Sequence, residues 1–237
     1  MAFIIPLALA LVLSFVYILS SRFSRHAERY HEHILSLGSG MLLAIIFAEV
    51  LPSLMEHGVK YLSPINISFT ILVGFVSYHL IEKYTYKHAT TSKQITKDIG
   101  YLHIAGFFLD NFLEGFVLVL IFGLASVTGY LVYILFIPLL LGDIAAAITL
   151  QHINDRFRLH GIGSVLMSMS IFFGAAFGVL LNLAEKHFYI ALAFICGAFL
   201  YFITRDELPR GRKGQPITFL IGLAIVMGLF MLIRSMG

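Results

Sequence analysis

Charge is what this chain has least of. Only 12% of its 237 residues are Asp, Glu, Lys or Arg, about half the share found in an average soluble domain. Hydrophobic residues make up 59% and mean hydropathy is +0.92, more apolar surface than a soluble core of this length can hide. A polytopic membrane protein is the reading that remains. Cysteine is nearly absent as well: Cys196 stands alone, which excludes a disulfide scaffold and leaves it as a packing residue. A disordered tail is excluded by the same composition. The pI of about 9.0 rests on a net charge of only +3, so no nucleic acid or other polyanion is implied as a partner. No glycine-rich nucleotide loop, HExxH or nucleophile motif is present. Neither an enzyme nor a carrier driven by its own ATP hydrolysis is expected. Phe (22) and Gly (20) are plentiful, and they suit lipid-facing and closely packed helices respectively.

A bilayer-crossing helix needs about 20 mainly apolar residues. Eight stretches qualify: 2–20, 34–55, 66–82, 101–124, 130–152, 162–184, 188–204 and 216–233. The expected fold class is all-α integral membrane, a single polytopic domain over 1–237. The longest loop, from Glu82 to Gly100, has no room for a soluble domain. The first stretch has no basic residue before it and no small-residue cleavage site after it, so it reads as a helix and not a signal peptide. Basic residues then set the orientation. Arg22, Arg25, Arg29, Lys83, Lys87, Lys93, Lys97, Arg156, Arg158, Arg205, Arg210, Arg212 and Lys213 all fall on alternate loops, leaving Lys60, Lys186 and Arg234 for the other side. The positive-inside rule therefore places both termini outside the cytoplasm.

Two segments share a pattern. Gly40 is followed by leucine three positions on, Glu49 at nine, Leu51 at eleven and Pro52 at twelve. Gly197 is followed by Leu200, Asp206, Leu208 and Pro209 at the same steps. The first segment lies in an inside-to-outside helix and the second in an outside-to-inside one, as in the inverted repeats of secondary transporters. Helices 1–3 and 6–8 would form related halves around helices 4 and 5, a 3+2+3 arrangement. Prolines that simply end both helices at the interface are the plainer reading.

The ionisable groups inside the spans carry the chemistry. Of thirteen acids, Glu49, Asp110, Glu114 and Asp143 lie within them, and no lysine or arginine does. A carboxylate at the bilayer centre costs about 3 kcal/mol on insertion scales, so such groups must be protonated, hydrated or bound to cations. Asp110 and Glu114, four apart, share one face of helix 4, with Asn111 beside them and His103 seven residues earlier on the same stripe. Asp143 in helix 5 lies slightly cytoplasmic of that level. Carboxylates one turn apart with an amide and a third carboxylate nearby suit a divalent cation; a proton relay uses the same groups. Pro138 frees a carbonyl in helix 5, and Gly142, Ala145, Ala146 and Ala147 let another helix approach. Plainer roles stand beside these: an interfacial histidine for His103, an interhelical hydrogen-bonder for Asn111, interface positions for Gln151 and His152, a snorkelling acid for Glu49. His26, Glu28, His31, Glu32 and His33 form a cytoplasmic cluster, read as a solvated loop or a metal relay.

Gly100-Tyr101-Leu102-His103 followed by Asp110-Asn111-Phe112-Leu113-Glu114-Gly115 resembles the fourth-helix motif of the zinc/iron-regulated permease (ZIP) family, written HNxPEG or GYLN…[HD]NFT[DH]G. Gly197-Ala198-Phe199-Leu200-Tyr201…Asp206-Glu207-Leu208-Pro209 is similar to the family's GAxLY…ELLP. Ile137-Pro138 and Gly142-Asp143 stand against its HEIPHExGD. The resemblance covers essentially the whole chain. It implies eight spans, outside termini and metal-ligand positions at Asp110, Asn111 and Glu114. Leu135, Phe136, Leu139 and Leu140 replace the polar residues around the family's Ile-Pro, and Ser168–Gly178 contains no helix 6 acid. The family's binuclear centre is therefore incomplete here. One metal held by helix 4 with help from Glu49, His103 or Asp143 is the arrangement left.

The expected function is a secondary carrier that moves divalent transition-metal cations, zinc or similar, into the cytoplasm of a cell with this chain in its plasma membrane. The metal is cargo, with no permanently bound cofactor. A transport-inactive family member that senses or scaffolds, and a proton-coupled carrier of a cation or small solute, are the alternatives. Expected partners are the lipid bilayer and the ion, with homodimerisation left open.

Overall fold

The computed structural model describes residues 4–27, 30–89, 95–124, 134–145, 162–181, 183–204 and 215–236. Among them every regular element is a helix. Helix α1 is Ile4–Ala27, α2 His31–Ile45, α3 Leu51–Glu56, α4 Pro64–Ala89, α5 Ile95–Leu124, α6 Ile134–Ala145, α7 Ile162–Leu181, α8 Glu185–Phe202 and α9 Pro216–Met236. A π-helical segment, Ile46–Val50, joins α2 to α3, and a short 3-10 turn, Gly58–Lys60, follows.

The helix starts follow from local chemistry. Pro64 and Pro216 occupy first positions, where a missing N–H costs nothing. Ser63 Oγ accepts the Asn66 N–H at 3.4 Å, a hydroxyl cap for α4. Glu185 opens α8 at its positive end. The start of α9 is capped from elsewhere in the chain: the Gln215 N–H donates to Ser36 Oγ of α2 at 3.2 Å.

Among the described residues four segments are long and apolar enough to cross a membrane, His31–Lys60, Pro64–Ile81, Glu185–Phe202 and Pro216–Ile233, which makes the chain a multi-pass membrane protein. Ile4–Val16, Ile134–Ala145 and Met169–Leu181 are shorter apolar helices. The helices fall where the apolar stretches are, but several run past them. Helix α4 continues to Ala89, seven residues beyond the expected end, and α5 begins at Ile95 and not Tyr101. Apolar length marks the buried part of a helix, whereas polar turns prolong it into the interface without changing hydropathy. In the opposite sense, α7 stops at Leu181, because Leu183 and Ala184 are non-helical before α8.

Contacts divide the chain into two compact units. The first comprises Met1–Arg29, Tyr78–Val132 and Asp143–Asn182; the second comprises Tyr30–Ser77, Tyr133–Gly142 and Leu183–Gly237. In the first, α1, α5 and α7 pack on one another. The seam between α5 and α7 is backbone on backbone. A Cβ at Gly115 would lie 1.8 Å from the Ile171 carbonyl oxygen, and one at Gly174 1.9 Å from that of Phe112. Gly178 in turn faces Phe116 and Val119. Positions rise together on both helices, so α5 and α7 run parallel.

The second unit has two such crossings. Between α2 and α9, Gly40 abuts the Phe219 carbonyl and Gly222 that of Leu37, at 2.1 and 2.3 Å from a notional Cβ. Between α4 and α8, Gly197 abuts the Ile71 carbonyl and Gly74 that of Phe194, both at 1.9 Å. The register is duplicated. The step from Gly40 to Gly197 equals that from Leu37 to Phe194, and the step from Gly222 to Gly74 equals that from Phe219 to Ile71. The π-helical turns obey it too: one begins at Ile46, and α8 widens into π geometry at Ile203, the same step away. Each lies six residues before a proline, Pro52 and Pro209 (the latter, like Asp206, outside the described residues). A proline cannot donate its N–H, and a wide turn re-pairs the carbonyls before it: the Leu51 N–H bonds to Ile46 O. Gly38 adds a third approach, with Leu141 Cβ and Pro138 O at 3.3 and 3.5 Å, which realises the close contact expected of helix 5.

At the α3–α4 junction Tyr61 stacks on Tyr189 at 5.5 Å, and its hydroxyl donates to Glu185. Gly197→Ala should destabilise the protein by about 1–3 kcal/mol, because the methyl group meets main chain that cannot turn aside. Gly228 has nothing within 4 Å, so Gly228→Ala should be neutral or stabilising by up to about 1 kcal/mol. Thermal unfolding of both variants in detergent checks the contrast.

Candidate functional site

The first unit gathers most of the buried polar groups. On α5, Asn111 is 2% and Glu114 8% exposed, and Asp110 is half-buried. Asp143, near the end of α6, is 1% exposed. Glu114 lies one residue before the glycine that seats α5 on α7, so the tightest point of the seam fixes where its side chain begins.

Glu114 and Asp143 come within hydrogen-bonding range of each other. Both oxygens of Asp143, and Oε2 of Glu114, are sealed from solvent with no donor in bonding geometry. Two carboxyl groups in contact in a medium of low dielectric cannot both stay ionised alone; a cation or a shared proton must sit with them. This contact joins helix 4 to helix 5 through the acids the sequence singles out. Asn111 lies one turn before Glu114 on the same side of α5, with an amide oxygen that can coordinate a cation.

The other candidates stand apart or lie outside the described residues. Glu49 is 6% exposed and sits in the π-helical segment of the second unit. His103 is on α5, two turns before Asp110, with its side chain outside the described residues; Gln151 and His152 lie outside them altogether. Among the described residues no three His, Cys, Asp or Glu side chains converge as a metal cluster. Of the group formed by His26, Glu28, His31, Glu32 and His33, His33 Nδ1 meets Thr218 Oγ1 at 3.0 Å, tying α2 to α9. The helix 5 leucines are core: Leu135 and Leu139 are 1% and 2% exposed. Cys196 is buried in α8.

Four buried polar residues were not singled out from the sequence, Ser36 and Ser39 in the second unit and two serines in the first. Ser14 on α1 is 3% exposed, its hydroxyl donating to the Ala10 carbonyl at 2.9 Å, and Ser170 on α7 is fully buried. Serine is common in packed membrane helices, so neither position carries a signal of its own. No protein-family model and no curated protein sequence matches the chain.

Asp143→Asn should keep the fold and raise stability by about 0.5–2 kcal/mol at neutral pH. The amide supplies a donor of its own where neither Asp143 oxygen has one, and a group held at the expense of stability is the mark of a functional site. A melting temperature below that of the unsubstituted protein would contradict this.

Proposed function

We propose that the chain is a secondary membrane carrier that moves a divalent transition-metal cation, zinc or a neighbour, into the cytoplasm. The observation that carries it is the contact between Glu114 and Asp143, two buried carboxyl groups with no donor on either Asp143 oxygen. With no lysine or arginine in the eight apolar stretches, the partner that the two Asp143 oxygens lack is, on this reading, a positive ion from outside the protein. Asp110 and Asn111, on the same turn of α5, extend the oxygen-lined surface along which that ion passes.

Other observations support the frame. Eight helical segments with basic loops on alternate sides fit eight spans with both termini outside the cytoplasm. The duplicated glycine register and paired π turns support the inverted repeat, a construction that in transporters places the site near the midplane. Under this reading Glu49, at the outer end of its helix, serves the entrance. The plasma membrane is the host that short loops fit best. A transport-inactive sensor is favoured by one observation, the burial of Leu135 and Leu139 where the resembling family carries polar ligands.

Proteoliposomes loaded with a metal-sensitive dye separate these readings. A carrier moves at least one of Zn²⁺, Fe²⁺, Mn²⁺ and Cd²⁺, and Glu114→Gln or Asp143→Asn lowers the initial rate by at least about tenfold, the minimum for losing a charged ligand. Flux of none of the four ions by folded protein would sink the carrier reading and leave the sensor.

A further inference from the structure

Past the π-helical segment Ile46–Val50, the second helix continues as α3 and the 3-10 turn Gly58–Lys60. This continuation is thinly held. Of residues 51–60 only Leu54 and Gly58 are buried, whereas eight of the 15 residues of α2 are. A segment with so few buried contacts opens before the core does.

Its attachment is concentrated at the start of α8. Leu54, fully buried, belongs to α3, which packs on α8. Gly58 leaves room for the Tyr189 ring, 3.4 Å from a notional Cβ. Tyr61 then makes two contacts at once. Its ring lies on that of Tyr189, centroids 5.5 Å apart and planes 17° from parallel, and its hydroxyl donates to Glu185. Glu185 and Tyr189 are four apart, so one face of α8 offers a carboxylate and a ring one turn from each other. Phe188 meets the Tyr189 ring edge-on at 5.2 Å, and Lys60 Nζ stands 5.5 Å from the Tyr61 centroid.

At the other end is the widened turn. The Leu51 N–H bonds to Ile46 O, and Pro52 supplies no N–H at all. A helix changes direction most readily at such a turn. Glu49 lies inside it, 6% exposed, between the densely packed α2 and the loosely held continuation.

The geometry points to residues 51–61 as a strap hinged on the π turn and caught by Tyr61 on α8, with Tyr61 the positioning residue that holds Glu49 in its buried place. Caught, the strap presents Glu49 in one geometry. Released, it leaves the turn free to rotate the carboxyl group away. The strap follows from the packing alone, while the cation that Glu49 meets rests on the carrier reading above.

Hydrogen exchange of the full chain in lipid nanodiscs reads the strap. In Tyr61→Ala the amides of residues 51–60 exchange about tenfold faster, the factor for losing one hydrogen bond to a charged acceptor, while those of α2 and α9 keep their rates. Tyr61→Phe, which keeps the ring stack, lies between the two. Proteoliposomes with Zn²⁺, Fe²⁺, Mn²⁺ and Cd²⁺ taken in turn read the coupling. Tyr61→Ala raises the half-saturating concentration and leaves the limiting rate unchanged, and added to Glu49→Gln it raises that concentration no further. Unchanged exchange over residues 51–60 in folded Tyr61→Ala overturns the catch. Acceleration spread equally over α2 and α9 makes Tyr61 ordinary packing and overturns the strap. An unchanged half-saturating concentration in Tyr61→Ala, or effects that multiply in the double variant, overturns the positioning of Glu49 and leaves the carrier reading standing. Flux of none of the four ions by the folded chain overturns the carrier reading and the part played by Glu49, while the exchange rates still decide the strap.

Discussion

Helix backbones in direct contact through glycine are the constraint on which the rest of this protein depends. In a bilayer the hydrophobic effect does not drive helices together; van der Waals contact and hydrogen bonds do. Three helix pairs, α5 with α7, α2 with α9 and α4 with α8, meet where a glycine from each side leaves room for the other's carbonyl. At α5–α7 the same contact positions the chemistry. Gly115 and Gly174 lock the register of the two helices on which Asn111, Glu114 and Ser170 are buried. A site built on helices held this closely is more precisely placed than one carried on loops.

What is buried there is costly. An acid in the middle of a membrane is opposed by about 3 kcal/mol, and Asp143 offsets none of this through a donor. Such a group persists where function requires it. The neighbouring positions on α6 show the contrast. Leu135 and Leu139 are as deeply buried as Asp143 and are what packing alone selects. The helix therefore carries one acid among leucines, set against another acid on α5. That pattern suits a site that a cation completes, and it does not suit a rigid core.

The helices and the site were legible in the sequence to different depths. Apolar runs gave the helix positions, because a soluble fold rarely tolerates twenty such residues in a row. They missed the polar ends of α4 and α5, which hydropathy does not register. The spacing of Asp110 and Glu114 revealed a shared face, and the proline and glycine of helix 5 revealed a close contact, seen between Gly38 and Pro138. Local spacing could not show that Asp143 meets Glu114, since that contact depends on how α5 and α6 pack. Ser170 was invisible for a further reason: a serine in an apolar helix looks the same whether it faces lipid, bonds its own backbone or lines a site. The grouping of helices into two units was also hidden, because each unit draws on distant parts of the chain.

The intramembrane acids fall into two kinds, and the duplicated register accounts for the difference. Glu49 sits in a π-helical turn, and this turn begins at Ile46 just as α8 widens at Ile203. By sequence, Asp206 stands to Ile203 as Glu49 does to Ile46, and a proline follows each three residues later. An acid of this kind is part of the repeat: the proline removes a donor, the helix widens, and the wider turn carries a carboxyl group inward while Phe47, two residues earlier, stays 59% exposed. Glu114 and Asp143 have no such counterpart. They lie on α5 and α6, close to glycines but not in widened turns, and they meet each other. Under the carrier reading proposed above, a single carboxyl in a pliable turn suits transient contact with a passing ion. Two in contact, on helices fixed by main-chain packing, suit holding it.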